Sequence, residues 1–372
     1  MSHHHSLKRI EAEITSQLSH IAPALLTVLV HYVYGVLILQ HCGQIRIATF
    51  LGELWGESFH NVRQRLRELT YESDAKRGKH RRELKVSDCF APLLRWVLSK
   101  LPAQDKEVVL ALDATYLGER FVILAVSVVV SQTAIPVAWH IQYGNTQGKW
   151  TPIWKRLLDA LQPALPDDWT IYALTDSGLR SKVLFEQLEG YGWVPMMRID
   201  ASQGLFQKAG QHEWVALRSL VWRGMSPRYI RGLCFKGKPI ACTIICQWDA
   251  QYEHPCLVIT SLPVRDIHHC VYAIRYWIEC GFKDFKRGLF HWEQTKMRCP
   301  QRAERLWLIL SIALLLATAW GDTTPMLAGV TRQQCGLSAP VFGLISWLVA
   351  LLQHDTDTLP EHTHFSPYRF PT

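Results

Sequence analysis

The chain has 372 residues, 48% of them hydrophobic, with 40 Lys and Arg against 32 Asp and Glu. That length fits two or three structural units, and that apolar content excludes a disordered chain. A net charge of +8 and a pI of about 9.0 fit a polyanionic partner, nucleic acid or an anionic membrane surface, without choosing between them.

Residues 1 to 100 read as mostly helical. His3, His4 and His5 look like a tag remnant and are set apart from the fold. The apolar run 21–39 is interrupted by Pro23, His31 and Gly35, and a second run, 306–320, is only about fifteen residues long. A spanning helix needs roughly 20 apolar residues, so buried core helices account for both runs better than a membrane does. Residues 45–54 form a short amphipathic pattern, followed by Gly56 and by Ser58 as a helix cap. In the next segment Phe59, Val62 and Leu66 share one helical face, while Arg63 and Arg67 share another. Helix, glycine turn and basic helix resemble a helix-turn-helix, although any two-helix corner with a basic outer side has the same pattern. Lys76, Arg77, Lys79, Arg81, Arg82 and Lys85 are then offset only by Glu83. This run reads as a phosphate-contacting arm or as a solvated linker.

The pattern changes near Glu107. Residues 108–112 are a β-prone run ending at Asp113, and 121–130 a long β-branched strand. A third strand, 134–141, carries Pro136, which marks an edge or an irregularity. A helix at 149–161, a strand at 169–175 ending at Asp176, a helix at 179–189 and a strand at 193–199 follow. This order predicts a mixed sheet flanked by helices. Runs at 230–235, 240–248 and 256–261 read as a small antiparallel insertion. The chain turns helical again from 271 to 286, with buried helices at 302–320 and 341–352 and a loose polar tail after His354. None of the ten cysteines forms a CxxC pair. Cys242 and Cys246 share one strand face as apolar filler, and free thiols fit a reducing, cytoplasmic setting.

Two carboxylates delivered by neighbouring strands can share a hard cation such as Mg²⁺, which prefers oxygen ligands. Asp113 and Asp176 are candidates, against the alternative that each merely starts a loop. Tyr272, Arg275, Glu279 and Lys286 are spaced by three, four and seven residues. On a regular helix they fall within a stripe of about 60°, with Lys283 at its border. Such a stripe is no core face. Glu279 either completes a metal site while the cations and the phenol grip phosphates, or simply neutralises Arg275, its i+4 partner. Gly281 lies inside this helix and predicts a kink or break.

The order Asp, Asp, Glu, with Tyr-x2-Arg-x3-Glu-x6-Lys around the Glu, resembles the DDE transposases of bacterial insertion sequences. Within them it resembles the group known by that Tyr-Arg-Glu-Lys signature, insertion-sequence family four and its relatives. The likeness runs from about Val108 to Trp320. It takes in Asp113-Ala114-Thr115, Thr175-Asp176-Ser177-Gly178 and the apolar helix 305–320. Where the family often has Asp-Arg-Gly, this chain has Asp176-Ser177-Gly178, with Arg180 two places on. The resemblance implies a ribonuclease-H-like α/β core of residues 101–200 and 265–322, interrupted by a β-rich insertion at 201–264. It also implies a helical, DNA-binding unit at 1–100 and a C-terminal helix and tail at 323–372.

It further implies an enzyme that cleaves transposon ends and transfers strands with two Mg²⁺ or Mn²⁺ ions on Asp113, Asp176 and Glu279. Tyr272, Arg275, Lys283, Lys286, Arg63 and Arg67 would contact DNA. The implied partners are double-stranded DNA, as terminal inverted repeats and target, and a second subunit when bound to DNA. The expected location is the cytoplasm, on the nucleoid and not a membrane. An aromatic residue in the insertion, with Trp222 and Trp248 in the right region, holds a flipped base in some relatives. Three rival readings stand beside this one: an inactive or domesticated DNA-binding derivative, a membrane protein built on the two apolar runs, and a plain ribonuclease-H-type nuclease.

Overall fold

The computed structural model describes residues 2–76, 81–102, 104–267, 269–353 and 363–366. The predicted strands are β1 (Glu107–Leu117), β2 (Phe121–Val130), β3 (Thr133–Tyr143), β4 (Thr170–Thr175) and β5 (Val194–Ile199). β1 lies antiparallel to β2 and β2 to β3, whereas β4 runs parallel to both β1 and β5. β2 is buried along its whole length, as its unbroken apolar run requires of a central strand. Pro136 sits on β3, the edge strand, at a register shift opposite Val126 and Ser127. Its missing N–H therefore interrupts no second ladder.

The insertion is not a separate sheet. Its strands β6 (Leu205–Lys208), β7 (Trp214–Ala216), β8 (Met225–Cys234), β9 (Ile240–Trp248) and β10 (Cys256–Thr260) continue the core sheet. The order is β3-β2-β1-β4-β5-β10-β9-β8-β6-β7, with β10 antiparallel to β5. β6 and β7, four and three residues long, were not expected from the sequence. Cys242 and Cys246 are fully buried on β9, as apolar filler would be.

Helices α1 (Ser2–Gln17), α2 (Pro23–Leu39), α3 (Gln44–Trp55), α4 (Phe59–Leu69) and α5 (Ser87–Ser99) make up the N-terminal part. Gly56, in the left-handed region at φ 64°, ends α3 and lets α4 turn back. α6 (Thr151–Leu161) and α7 (Lys182–Gly190) follow β3 and β4, and α8 (Trp277–Lys283) packs on β3. α9 (Pro300–Thr323) runs through the middle, buried continuously from Arg305 to Gly321, with α2, β3 and α11 (Ala339–Leu352) against it. By length and composition α9 is the one described helix able to span a bilayer, but a helix apolar all round is also what a protein core demands. A short α10 (Arg332–Cys335) precedes α11.

Four expectations need correction. β1 does not stop at Asp113 but continues to Leu117, because β2 still pairs with it there. The 271–286 segment is not one regular helix: a 3₁₀ turn (His269–Tyr276) leads into α8, and a π-helical stretch (Asp284–Gly288) leaves it. Gly281 causes neither irregularity. It lies within α8 where a Cβ would come 2.3 Å from the Ala134 carbonyl oxygen, so it permits close approach to β3. The tail is not loose where it is described: Phe365 is buried and its N–H donates to the Lys100 carbonyl at 2.7 Å. In the basic run, Arg77 and Lys79 lie outside the described residues. Lys76 is buried and donates to the Arg82 carbonyl, and Glu83 pairs inward with Arg305.

Candidate active site

Parallel pairing of β1 and β4 ends at Leu112 opposite Thr175. The next residue in each chain segment is Asp113 and Asp176, so the two carboxylates stand next to each other where β4 stops, Asp113 still within β1 and paired to Ala125 of β2. Open α/β sheets present ligand sites at such strand ends. Asp113 is held from both directions. Its Oδ1 accepts the Ala114 N–H at 2.7 Å, and its Oδ2 receives Arg275 Nη1 at 3.0 Å. Burial pushes the Asp113 carboxyl above its ordinary range despite the guanidinium beside it.

Arg275 is the hub. One guanidinium touches Asp113, lies 3.7 Å from Asp176 Oδ1 and reaches Glu279 Oε1 at 3.4 Å. It is nearly buried, with a side chain 10% exposed, whereas Glu279 is 54% exposed. Oδ1 of Asp176 is out of solvent and accepts no hydrogen bond, although the residue as a whole is about a third exposed. Its nearest cations are Arg275 and, at 3.8 Å, Arg198 on β5. An unsatisfied, buried carboxylate oxygen beside two further carboxylates is a donor set that suits a hard divalent ion. As the side chains stand, no three acidic, His or Cys groups among the described residues are arranged to hold a metal, because the guanidinium lies among them.

The irregular helix brings the remaining predicted residues to the same place. Tyr272 donates its hydroxyl to the Thr175 carbonyl at 3.0 Å, tying the 3₁₀ turn to the end of β4, and burial raises its phenol. Lys286, in the π-helical stretch, donates to Thr115 Oγ1 at 2.6 Å, and burial lowers its ammonium from the ordinary lysine value. Lys283, Lys286, Arg287, Glu279 and Asp113 line a hollow of about 440 Å³. A second hollow, of about 480 Å³, is bordered by Ser177, Arg198, Arg218 and Trp248. There Trp248 is buried beneath the Arg218 guanidinium, 4.4 Å from the ring centre, while Trp222 is exposed.

Arg63 and Arg67 belong elsewhere. Arg67 donates to the Tyr71 hydroxyl at 2.7 Å, and Arg63 faces a different cleft. Sequence reading passed over Arg198 and quoted Thr115 only within the Asp113-Ala114-Thr115 motif, without a role. Arg198 did carry a signal, as the charged residue in an otherwise apolar strand. The pairing of Thr115 with Lys286 had no signal in the sequence, since only the fold sets them together.

A model of the transposase DDE domain family matches residues 104–316, which contain both aspartates and the glutamate. No curated protein matches the chain. Among solved structures the chain is similar to the piggyBac transposase, seen by cryo-electron microscopy in a synaptic complex with hairpin DNA. The identity is 14% and the TM-score 0.40, over 95% of this chain and 82% of that one, a likeness too slight to bear on function.

Proposed function

The chain belongs to the transposase DDE domain family and is a DNA transposase, and on that premise we propose that Asp113, Asp176 and Glu279 are its catalytic carboxylates. The carrying observation is the convergence of all three on the single guanidinium of Arg275. Three anions gathered round one cation form a site built for positive charge, and Asp176 Oδ1 still lacks a donor. The carboxylates would hold two Mg²⁺ or Mn²⁺ ions. Such ions supply activation of the attacking oxygen and charge relief at the leaving oxygen of a phosphodiester.

The chain's own residues do the rest. Tyr272 fixes the end of β4, and with it Asp176, by its bond to the Thr175 carbonyl. Lys286, aimed by Thr115, and Lys283 present ammonium groups to phosphate across the hollow that Asp113 and Glu279 share. Arg275 is the counter-charge of the carboxylates and competes with metal for them. It is thereby a positioning residue, where the sequence reading made it a phosphate contact. Its removal is expected to tighten Mn²⁺ binding at least severalfold, on the order of 1 kcal/mol, as measured by calorimetry on Arg275→Ala and wild type without DNA. Equal or weaker Mn²⁺ binding by the variant would sink the competition.

The partners in this reading are duplex DNA, as terminal repeats and target, and a second subunit recruited on DNA, in the cytoplasm at the nucleoid. Residues 1–100 serve as the DNA-binding unit, 101–200 with 265–322 as the catalytic core, 201–264 as the insertion and 323–372 as the C-terminal part. The test is a labelled duplex carrying the element's own end, incubated with Mg²⁺ or Mn²⁺. Nicking at the end by wild type and none by Glu279→Ala is the expected result. Equal DNA binding by both with no cutting by either would leave an inactive DNA-binding derivative.

A further inference from the structure

The largest hollow described lies away from the carboxylates, between the N-terminal helices and the segment that joins the π-helical stretch to α9. Its volume is about 760 Å³, and no Asp or Glu lines it. Five cations do: Arg46 on α3, Arg63 on α4, Lys296 and Arg298 on the connecting segment, and Arg302 on α9. Among the described residues, the side chains of Arg46, Arg63, Lys296 and Arg298 make no ion pair or hydrogen bond, and three of these four residues are exposed. Arg302 is partly committed, lying 3.8 Å over the Tyr71 ring and 3.6 Å from Glu72. Uncompensated like charges drawn from four separate elements repel one another, so the fold keeps them together at a cost that a polyanion would offset.

The connecting segment is built to hold its cations outward. Arg120, in the turn between β1 and β2, donates to the carbonyls of Glu293, Thr295 and Met297. Thr295 and Met297 are half-buried, while Lys296 and Arg298, each next in the chain, are exposed. After the 3₁₀ turn at Trp292–Gln294 the segment therefore runs as an extended rail, with Lys296 and Arg298 on one side, about 6.6 Å apart. Its near end is tied to the opposite wall. Cys42 N–H donates to the Phe290 carbonyl at 2.9 Å, and His41 stacks on His291 and meets Gln294 at 3.3 Å. Both walls are thus fixed before any ligand arrives, which lowers the ordering cost of binding.

We propose that this cleft is a second phosphate-binding surface, which grips the backbone of duplex DNA without metal and without the carboxylate site. It rests on the reading of the chain as a transposase, but not on the assignment of Asp113, Asp176 and Glu279. Lys296 and Arg298 are the contacts, Arg46 and Arg63 face them, and Arg120 is the positioning residue that sets the rail.

The test is binding of a fluorescein-labelled duplex of arbitrary sequence in EDTA, followed by anisotropy from about 50 to 200 mM salt. Each phosphate contact contributes roughly 0.9 to the slope of log affinity against log salt. Lys296→Ala/Arg298→Ala is expected to lower that slope by about 1.8 and the affinity by about tenfold, irrespective of sequence. The charge-matched control Lys106→Ala/Lys155→Ala, two exposed lysines already paired with Asp168 and Asp159, should change neither. Arg120→Ala should lower the slope in the wild-type background and leave it unchanged in the Lys296→Ala/Arg298→Ala background. A merely structural role would lower affinity in both. A double variant with the wild-type slope overturns the cleft, whatever Glu279→Ala does to nicking. A wild-type protein that binds no duplex overturns it together with the DNA reading of the chain.

Discussion

End cleavage by the Asp113→Asn protein is expected to fall at least about a thousandfold, with its affinity for duplex DNA in EDTA unchanged. The substitution keeps shape and removes charge. One amide oxygen can still accept the Ala114 N–H, which Asp113 Oδ1 now takes at 2.7 Å. The amide nitrogen then meets Arg275 Nη1 where an oxygen stood at 3.0 Å, and two donors face each other. Folding should survive this. Burial already raises the Asp113 carboxyl, so its charge is costly in this position, and a neutral isostere is relieved of that cost. Arg275 retains Asp176 and Glu279 as partners. What is lost is an anionic oxygen donor, which a neutral amide replaces poorly for a hard cation. Timed cleavage of the labelled end, with thermal unfolding measured alongside, separates the outcomes. Cleavage within tenfold of wild type at unchanged stability would remove Asp113 from the catalytic set, and Asp176→Asn, judged the same way, tests the second strand.

Much of this site was legible because its parts are local. Buried strands announce themselves as β-branched runs, so the segments that deliver Asp113 and Asp176 could be placed within a residue or two. The continuation of β1 past Asp113 was not legible. Residues 114–117 alternate in exposure because β2 covers them and β4 has already ended, and that is a property of the pairing. Likewise the spacing of Tyr272, Arg275, Glu279 and Lys286 grouped residues that do converge in space, but for a wrong local reason. No single regular helix carries them. A tightened turn before α8 and a widened one after it aim the four side chains at β1 and β4, and only tertiary contact selects those windings. Of the cationic cleft only Arg63, on its basic helix face, carried a signal, since Arg46 and Lys296 are 250 residues apart in the chain. Fold class followed from element order, whereas the joining of the insertion to the core sheet depended on β10 pairing with β5.

Arg305→Ala is expected to cost about 2–4 kcal/mol of stability, the largest loss from any single truncation considered. Arg305 stands at the first buried turns of α9, 4% exposed, where the sequence offered only the start of an apolar helix. Its guanidinium donates to the Leu84 carbonyl at 3.0 Å, the Thr70 carbonyl at 2.9 Å and Glu72 Oε1 at 3.0 Å, and also to Glu83. Alanine would strand two carbonyls and take the guanidinium from two carboxylates, leaving Glu72 beside Arg302 and Glu83 with the Ser73 N–H. The carboxylates are about 30% exposed and can regain some water, so the expected loss lies below that of a fully buried pair. Arg305→Lys keeps the charge but not the planar fork, and should recover less than half of the loss. The network ties the end of α4 and the basic run around Glu83 to the core helix. Its loss should therefore expose residues 73–76 and 81–85 to protease before the core melts. Urea unfolding of the three proteins, with limited proteolysis, decides the matter. A loss under about 1 kcal/mol would mean that water replaces the guanidinium freely. A large loss without early cleavage at 73–76 or 81–85 would mean that Arg305 stabilises α9 itself and does not dock the N-terminal helices on it.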